Sequence, residues 1–179
     1  INELICGIDP GKMDHTYVTG QRELVLGVLK QVKNKKTIIS ERNVYECKEV
    51  RPLKVQVPGE MLFADMNDID MRNEVVIPAI RKQNLLKWVD KGVIKSILQV
   101  SISDVNAPSI MHFFTKEEVR KQGYGYALAW HATNDVLFEY ESCGLVTKRN
   151  YIPSNKTFQN VGYEKVYDWI KVIVEPARQ

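Results

Sequence analysis

The sequence predicts an α/β chain of the α+β kind, on three observations. Short runs with period-two alternation recur along it. One pair of them is a hairpin around Asp90-Lys91-Gly92, with glycine where positive φ is needed. One long helical stripe then follows, from Tyr124 to Ser142.

Residues 1–20 are mixed, with turn signals at Asp9-Pro10-Gly11 and Gly20. From Arg22 to Val32 the spacing of Val25, Val28, Leu29 and Val32 predicts a helix, and Lys33 to Lys36 a solvated turn. Asn43 to Val50 reads as a strand, because Tyr45 and Cys47 alternate with Glu46 and Lys48. Leu53, Val55 and Val57 alternate with Lys54 and Gln56 and predict another. Pro58-Gly59 is a turn and the internal boundary, which divides the chain into an amino-terminal extension or truncated half-domain, 1–57, and a main domain, 58–179.

Met61 to Ala64 is a short strand. Asp68 caps a helix towards Gln83 that Pro78 kinks or restarts. Leu85 to Val89 and Val93 to Ser103 form the hairpin, and Ser109 to Thr115 is the next strand. In the long helix Leu128, Ala132, Val136 and Tyr140 share a stripe, and Gly144 sits where a carboxyl-terminal cap belongs. Leu145 to Thr147 is a short strand, Ser154 to Asn160 a short helix capped by Ser154, and Val166 to Val174 the closing strand or strands. The three tryptophans, Trp88, Trp130 and Trp169, read as core or sheet packing.

Composition narrows the function classes. The 179 residues are 44% hydrophobic and 26% charged, which excludes disorder, a collagen-like fibre and a coiled coil. No apolar run approaches the ~20 residues of a membrane helix. The net charge of +3 suits a phosphate-bearing ligand and falls short of a nucleic-acid surface. Cys6, Cys47 and Cys143 are odd in number and in no ligand spacing, so neither a disulfide framework nor a zinc site is expected, and a reducing compartment fits. The chain begins at Ile1 rather than Met, as a fragment or trimmed chain would, and no signal peptide is read. The expectation is a soluble, cytoplasmic protein without a membrane or nucleic-acid partner.

The stretch that carries chemistry is Thr115-Lys116-Glu117-Glu118-Val119-Arg120-Lys121-Gln122-Gly123-Tyr124-Gly125-Tyr126, between a strand and the long helix. Glycines at 123 and 125 allow a tight turn and a close approach. The first helix amides lack partners and carry partial positive charge, and Arg120 and Lys121 add to it, so a pyrophosphate is the natural guest. A glycine-rich turn alone is as often only a tight connection.

Arg120-x-x-Gly123-x-Gly125 resembles the Q/R-x-x-G-x-G/A signature of the GCN5-related N-acetyltransferases (GNAT). About thirty residues on, Ser154-Asn155-Lys156-Thr157-Phe158-Gln159-Asn160-Val161-Gly162-Tyr163 is similar to that family's second signature, a short helix ending in a Gly-aromatic pair. The resemblance covers roughly residues 60–174, and 85–174 well. It implies a GNAT fold: a mixed, mostly antiparallel central sheet flanked by helices and splayed between strands 4 and 5, with acetyl-CoA in the splay. It further implies that Phe113, Phe114 and Thr115 hold the pantetheine and thioester through their backbones. Gln122 to Tyr126 (Gln122, Gly123, Tyr124, Gly125, Tyr126) would bind the pyrophosphate beside Arg120 and Lys121. Asn155 and Phe158 would lie near the thiol end.

The implied activity is acetyl transfer from acetyl-CoA to a primary amine by direct attack, with no metal. Where the family commonly has a tyrosine to protonate the leaving thiolate, this chain has Phe158. Tyr163, Tyr151 or Tyr124 could donate instead, or the thiolate could leave unassisted, its thiol pKa being about 8.5. A regulatory protein that binds the acyl-CoA without turnover is the alternative. The base is open among His112, Asp104, Glu60 and Glu117; Tyr163 and His112 are carried as the catalytic candidates, although a lone strand histidine is more often structural. The role of Asn150 is open.

The helical region before the hairpin is short, which suggests an open acceptor cleft for a small-molecule or peptide amine. The acceptor's identity is open, as is a homodimer through the carboxyl-terminal strands. Asn43 to Val50 followed by Pro52 faintly resembles the linker strand of longer bacterial acetyltransferases; extra strands covering a sheet edge are as good a reading. Two further motifs rank low. Gly7-x-x-x-Gly11-Lys12 is a P-loop one residue short, with Met13 where magnesium needs a hydroxyl. Cys6 to Gly11 resembles the first strand of Holliday-junction resolvases, where Asp9 would bind metal for a nuclease, but the carboxylates Asp65, Asp68 and Asp70 cannot be assigned to such a cluster.

Overall fold

A computed structural model describes residues 4–8, 16–30, 32, 36–65, 84–102 and 108–175. Its elements are β1 (Leu4–Ile8), β2 (Thr16–Gln21), α1 (Arg22–Leu29), β3 (Lys36–Cys47), β4 (Glu60–Phe63), β5 (Leu85–Asp90), β6 (Val93–Ile102), β7 (Pro108–Thr115), a 3-10 turn (Glu117–Val119), α2 (Tyr124–Glu139), β8 (Cys143–Lys148), α3 (Ile152–Val161) and β9 (Glu164–Val174). They form two compact units. The first holds 1–44, 147–151 and 165–179, and the second 45–146 and 152–164.

In the first unit β2 pairs antiparallel with both β1 and β9. The amphipathic α1 buries Val25 and Leu29 with Val18, Ile170 and Val172, while Val28 is exposed. The indole of Trp169 donates to the Thr19 hydroxyl at 2.8 Å. Glu41 on β3 meets both Arg22 and Arg149.

The second unit carries the larger core. Its strands run in the order β8-β7-β6-β5-β4. β4 through β7 are joined antiparallel, and β7 and β8 are parallel. On one face of the sheet, α2 and α3 pack with Trp88, Leu98, Ile110, Leu145 and the α2 stripe Leu128, Ala132 and Val136. The hairpin turns as expected, with φ of 50° at Lys91 and 73° at Gly92, the mirror-image turn that matches strand twist.

Several expectations need correction. Gly20 is not a turn; it lies inside β2, paired with Leu4 and Ile170. β3 begins seven residues before Asn43: Lys36 to Arg42 are exposed or half-buried and show no alternation of burial, so no period-two pattern announces them. Gly144 is not a helix cap: α2 ends at Glu139 with Tyr140 in extended geometry, and Gly144 already pairs with Ser109. α3 starts at Ile152 rather than after Ser154; Pro153 suits a first turn, where its missing N–H costs nothing. Leu53 to Val57 is extended but belongs to no strand. Helix side chains hold its backbone instead: Trp130 Nε1 donates to the Arg51 carbonyl at 2.6 Å, and the Lys54 N–H donates to Tyr126 Oη at 3.2 Å. The helix expected from Asp68 to Gln83, the Asp9-Pro10-Gly11 turn and the Lys33–Lys36 turn (but for Lys36, the first residue of β3) lie outside the described residues.

Gly59 ends the extended segment with φ 103°. A Cβ there would meet the Val89 carbonyl well inside contact distance, and the Trp88 indole beside it donates to the Pro58 carbonyl at 3.0 Å. Gly59→Ala combines a left-handed backbone with a backbone clash. It is expected to cost about 2 kcal/mol or more, read as a lower urea midpoint at unchanged slope.

The buried thiols of Cys47 and Cys143 give a second test. Burial pushes Cys47 from 9.0 up to about 11 and also raises Cys143. Between those values the unfolded thiol ionises while the folded one keeps its proton. Stability is therefore full below pH 9 and falls as pH rises towards 11. A Cys47→Ala variant should show a shallower alkaline decline in denaturant titrations; an unchanged slope would count against this origin.

Candidate functional site

The site lies wholly in the second unit, where β7 parts from β8. The two strands share only Ser109↔Gly144 and Ile110↔Leu145, so β7 from Met111 to Thr115 has no strand partner on that side. This is the splay expected between strands 4 and 5. β7 is also bulged on its other side. Ile97 faces Phe114 and Gln99 faces Met111, which places His112 and Phe113 against Leu98 alone. His112 takes φ 46°, an uncommon conformation for a residue with a side chain, and its ring is exposed. The bulge re-aims the backbone of 112–114 at the place where the strand is unpaired.

The turn after β7 places Lys121 at φ 63° and Gly123 at φ 95°, the latter capping α2. The first helical bond of this turn runs from the Ala127 N–H to the Gly123 carbonyl at 2.9 Å. The amides of Tyr124, Gly125 and Tyr126 thus precede any helical acceptor and form an anion cradle at the positive end of the helix. Arg120 closes the turn by donating from Nε to the Thr115 carbonyl at 3.2 Å, with its guanidinium over the Phe114 ring. Gln122 donates to the Glu118 carbonyl, and Lys121 is exposed.

The two glycines are required by protein neighbours. A Cβ on Gly125 would strike Thr115 Oγ1 and the Phe113 ring, and one on Gly123 would meet Val55 Cγ1 at 2.8 Å. Tyr124 anchors the turn: its hydroxyl donates to Asp90 Oδ2 at 2.9 Å, and Lys95 lies over its ring. The bond to the Asp90 carboxylate raises the Tyr124 hydroxyl above its usual range, so it stays protonated.

At the inner end Phe113 meets Phe158 edge-on at 5.2 Å, and Phe158 meets Tyr163 at 5.3 Å. Phe158 is 2% exposed. Asn155 accepts a bond from the Tyr45 hydroxyl at 2.8 Å, which fixes its side chain inward. Tyr163 is 1% exposed. Thr133 Oγ1 gives its proton to the Ala129 carbonyl, so Tyr163 donates to Thr133 at 3.1 Å; burial raises its hydroxyl further.

The structure therefore brings together Phe113, Phe114, Thr115, Arg120 to Tyr126 and Phe158 around one strand end and one helix start. It places Tyr163 in the core and His112 on the exposed bulge. Of the other candidates, Glu117 pairs with Arg120 at 3.6 Å, Glu60 opens β4, and Asp104 lies outside the described residues. Asp9, Asp68 and Asp70 also lie outside them. No cluster of His, Cys, Asp or Glu among the described residues could hold a metal ion. No described helix is long and apolar enough to cross a membrane. Sequence reasoning missed the bulge and the Asp90–Tyr124 bond. The first has no side-chain signature, and the second joins residues 34 apart.

No family model matches the chain, and no curated protein does. Solved structures do. A GNAT-family acetyltransferase from Colwellia psychrerythraea matches with TM-score 0.70 at 13% identity, covering 89% of this chain and 64% of its own. A tandem GNAT protein of the clavulanic acid biosynthesis pathway gives 0.61 at 10%, covering 98% and 64%. A GCN5-related N-acetyltransferase-like protein from Streptococcus suis gives 0.56 at 12%, covering 97% and 88%. The chain spans under two thirds of the first of these proteins, and at such identities the likeness is one of fold. With the parted strands, the bulge and the helix-capping turn in the same order as its two signatures, this chain has the fold of the GCN5-related N-acetyltransferases.

Proposed function

We propose that this protein binds acetyl-CoA in the cleft between β7 and β8 and transfers the acetyl group to a primary amine. The observation that carries this reading is the conjunction of an unpaired, bulged strand end with three free helix amides one turn away. The residues fit the group. The amides of Tyr124, Gly125 and Tyr126, with Lys121 and Arg120, offer a pyrophosphate both hydrogen bonds and positive charge. The unpaired backbone of Phe113 to Thr115 offers an extended amide chain a strand-like partner. Phe158, edge-on to Phe113, stands at the inner end.

Acetyl-CoA supplies an acyl thioester, whose carbonyl carbon takes the amine nitrogen as the carbon–sulfur bond breaks. The chain's part is positioning and charge. A backbone N–H of the bulged segment polarises the carbonyl, and α2 holds the phosphates so that the reacting atoms stay aligned. His112, exposed on the bulge, takes the proton that the amine loses. The thiolate takes its proton from water, because Phe158 has none to give and the Tyr163 proton is committed to Thr133. A cofactor-binding protein with little turnover is the second reading, and Phe158 favours it.

Calorimetric titration tests the first claim. Acetyl-CoA should bind at micromolar concentrations, and magnesium-ATP should not. Lys121→Glu should weaken acetyl-CoA tenfold or more by reversing a charge beside the phosphates. Equal binding of ATP, or no binding by the folded protein, would overturn the reading. Phe158→Tyr should speed turnover of an amine panel if transfer is the activity; a protein that only binds would gain nothing.

A further inference from the structure

The turn at the start of α2 has two flanks, and its two glycines mark them. A Cβ on Gly125 would strike Thr115 and Phe113 of β7, whereas one on Gly123 would meet Val55 Cγ1 at 2.8 Å and Val57 Cγ1 at 3.0 Å. The second flank is the extended segment from Arg51 to Val57. Residues four apart on α2 hold it along one stripe. Trp130 donates to the Arg51 carbonyl, and Tyr126, one turn nearer the anion cradle, accepts the Lys54 N–H. Lys54 and Val55 are thereby fixed beside the amides of Tyr124 to Tyr126.

The fold leaves much of these two residues unused. Val55 turns a methyl towards Gly123 yet is 42% exposed, whereas Leu53 and Val57 are half-buried. Lys54 is exposed, and among the described residues no carboxylate pairs with its ammonium. Charge also separates the surroundings of the cradle. The turn that leads into it carries Glu117 and Glu118, both exposed, and Glu117 offsets Arg120 at 3.6 Å. Residues 51–59 carry Arg51 and Lys54 and no carboxylate. An anionic group that extends beyond the cradle is repelled on the first side and attracted on the second.

Resting on the proposed binding of acetyl-CoA, we propose that Lys54 and Val55 form the nucleotide end of the cofactor site and select a 3′-phosphorylated adenosine. The pantetheine lies on the β7 flank and the diphosphate on the three amides, so the ribose and adenine continue onto the other flank. The adenine covers the exposed apolar surface of Val55, and the 3′-phosphate meets the Lys54 ammonium. Magnesium-ATP has no 3′-phosphate to offer Lys54 and no pantetheine to lay along β7.

The test is calorimetric titration of CoA, dephospho-CoA and 4′-phosphopantetheine into the full chain and two variants. It reads binding whether or not transfer occurs. CoA should bind at least tenfold more tightly than dephospho-CoA, which lacks only the 3′-phosphate. Lys54→Met should reduce that preference to twofold or less. Val55→Ser should weaken CoA and dephospho-CoA alike, by about fivefold. It should leave 4′-phosphopantetheine, which has no nucleotide, unchanged. That last comparison separates a lost adenine contact from a disturbed Gly123 turn, which would weaken all three ligands. The inference is overturned by equal binding of CoA and dephospho-CoA, by a preference that survives Lys54→Met, or by a Val55→Ser variant that binds CoA as the parent does or weakens 4′-phosphopantetheine equally. No binding of either coenzyme by the folded protein would sink the acetyl-CoA reading, and this inference with it.

Discussion

Two residue pairs hold β7 to β8, and everything proposed for this protein depends on there being no more than two. A parallel pair that continued to Thr115 would satisfy the backbone of Met111 to Thr115 and leave no polar groups for a ligand. The strands are kept apart by what stands between and beside them. The bulge at His112 turns the strand, and the edge-on rings of Phe113 and Phe158 fill the inner end of the gap. α3 brings Phe158 there because its last turn is tied down, with the Arg51 N–H donating to the Val161 carbonyl at 2.7 Å. The cleft is thus a consequence of core packing.

The same economy appears at the helix start. Gly123 and Gly125 are needed because Val55, Phe113 and Thr115 press against them, and the resulting turn leaves three amides free. The extended segment from Arg51 to Val57 contributes although it belongs to no sheet. Trp130 and Tyr126 on α2 bind its carbonyl and amide, so one helix both presents the amides and carries the chain that packs behind them. Asp90 completes the arrangement from the hairpin, fixing Tyr124 by a buried bond. Strand end, helix start and hairpin turn are then one rigid object, as positioning chemistry demands.

Much of this was legible in the sequence, for physical reasons. The hairpin announced itself because Lys91 and Gly92 must both adopt positive φ, which few dipeptides tolerate. The α2 stripe of Leu128, Ala132 and Val136 announced itself because one apolar face must be buried. The signatures around Gly123 and Phe158 placed the cleft because they encode local geometry. What stayed hidden is non-local. The alternation of Leu53, Val55 and Val57 suits a strand, but alternation also suits a segment laid along a helix, and nothing in it tells which partner it finds. The bulge depends on the register between β6 and β7, not on His112 itself. Tyr163 invites a catalytic role by type and position, and only Thr133, thirty residues away, shows where its proton goes.

The central claim is that acetyl-CoA lies along β7 with its phosphates on α2. An amide-resolved NMR titration tests it most directly. Acetyl-CoA should shift the amides of Phe113 to Thr115 and of Tyr124 to Tyr126 together at one concentration dependence, and leave the Val18, Ile170 and Val172 amides of the other core unmoved. Shifts confined to other residues, or shifts of Tyr124 to Tyr126 that dephosphorylated pantetheine reproduces, would contradict it.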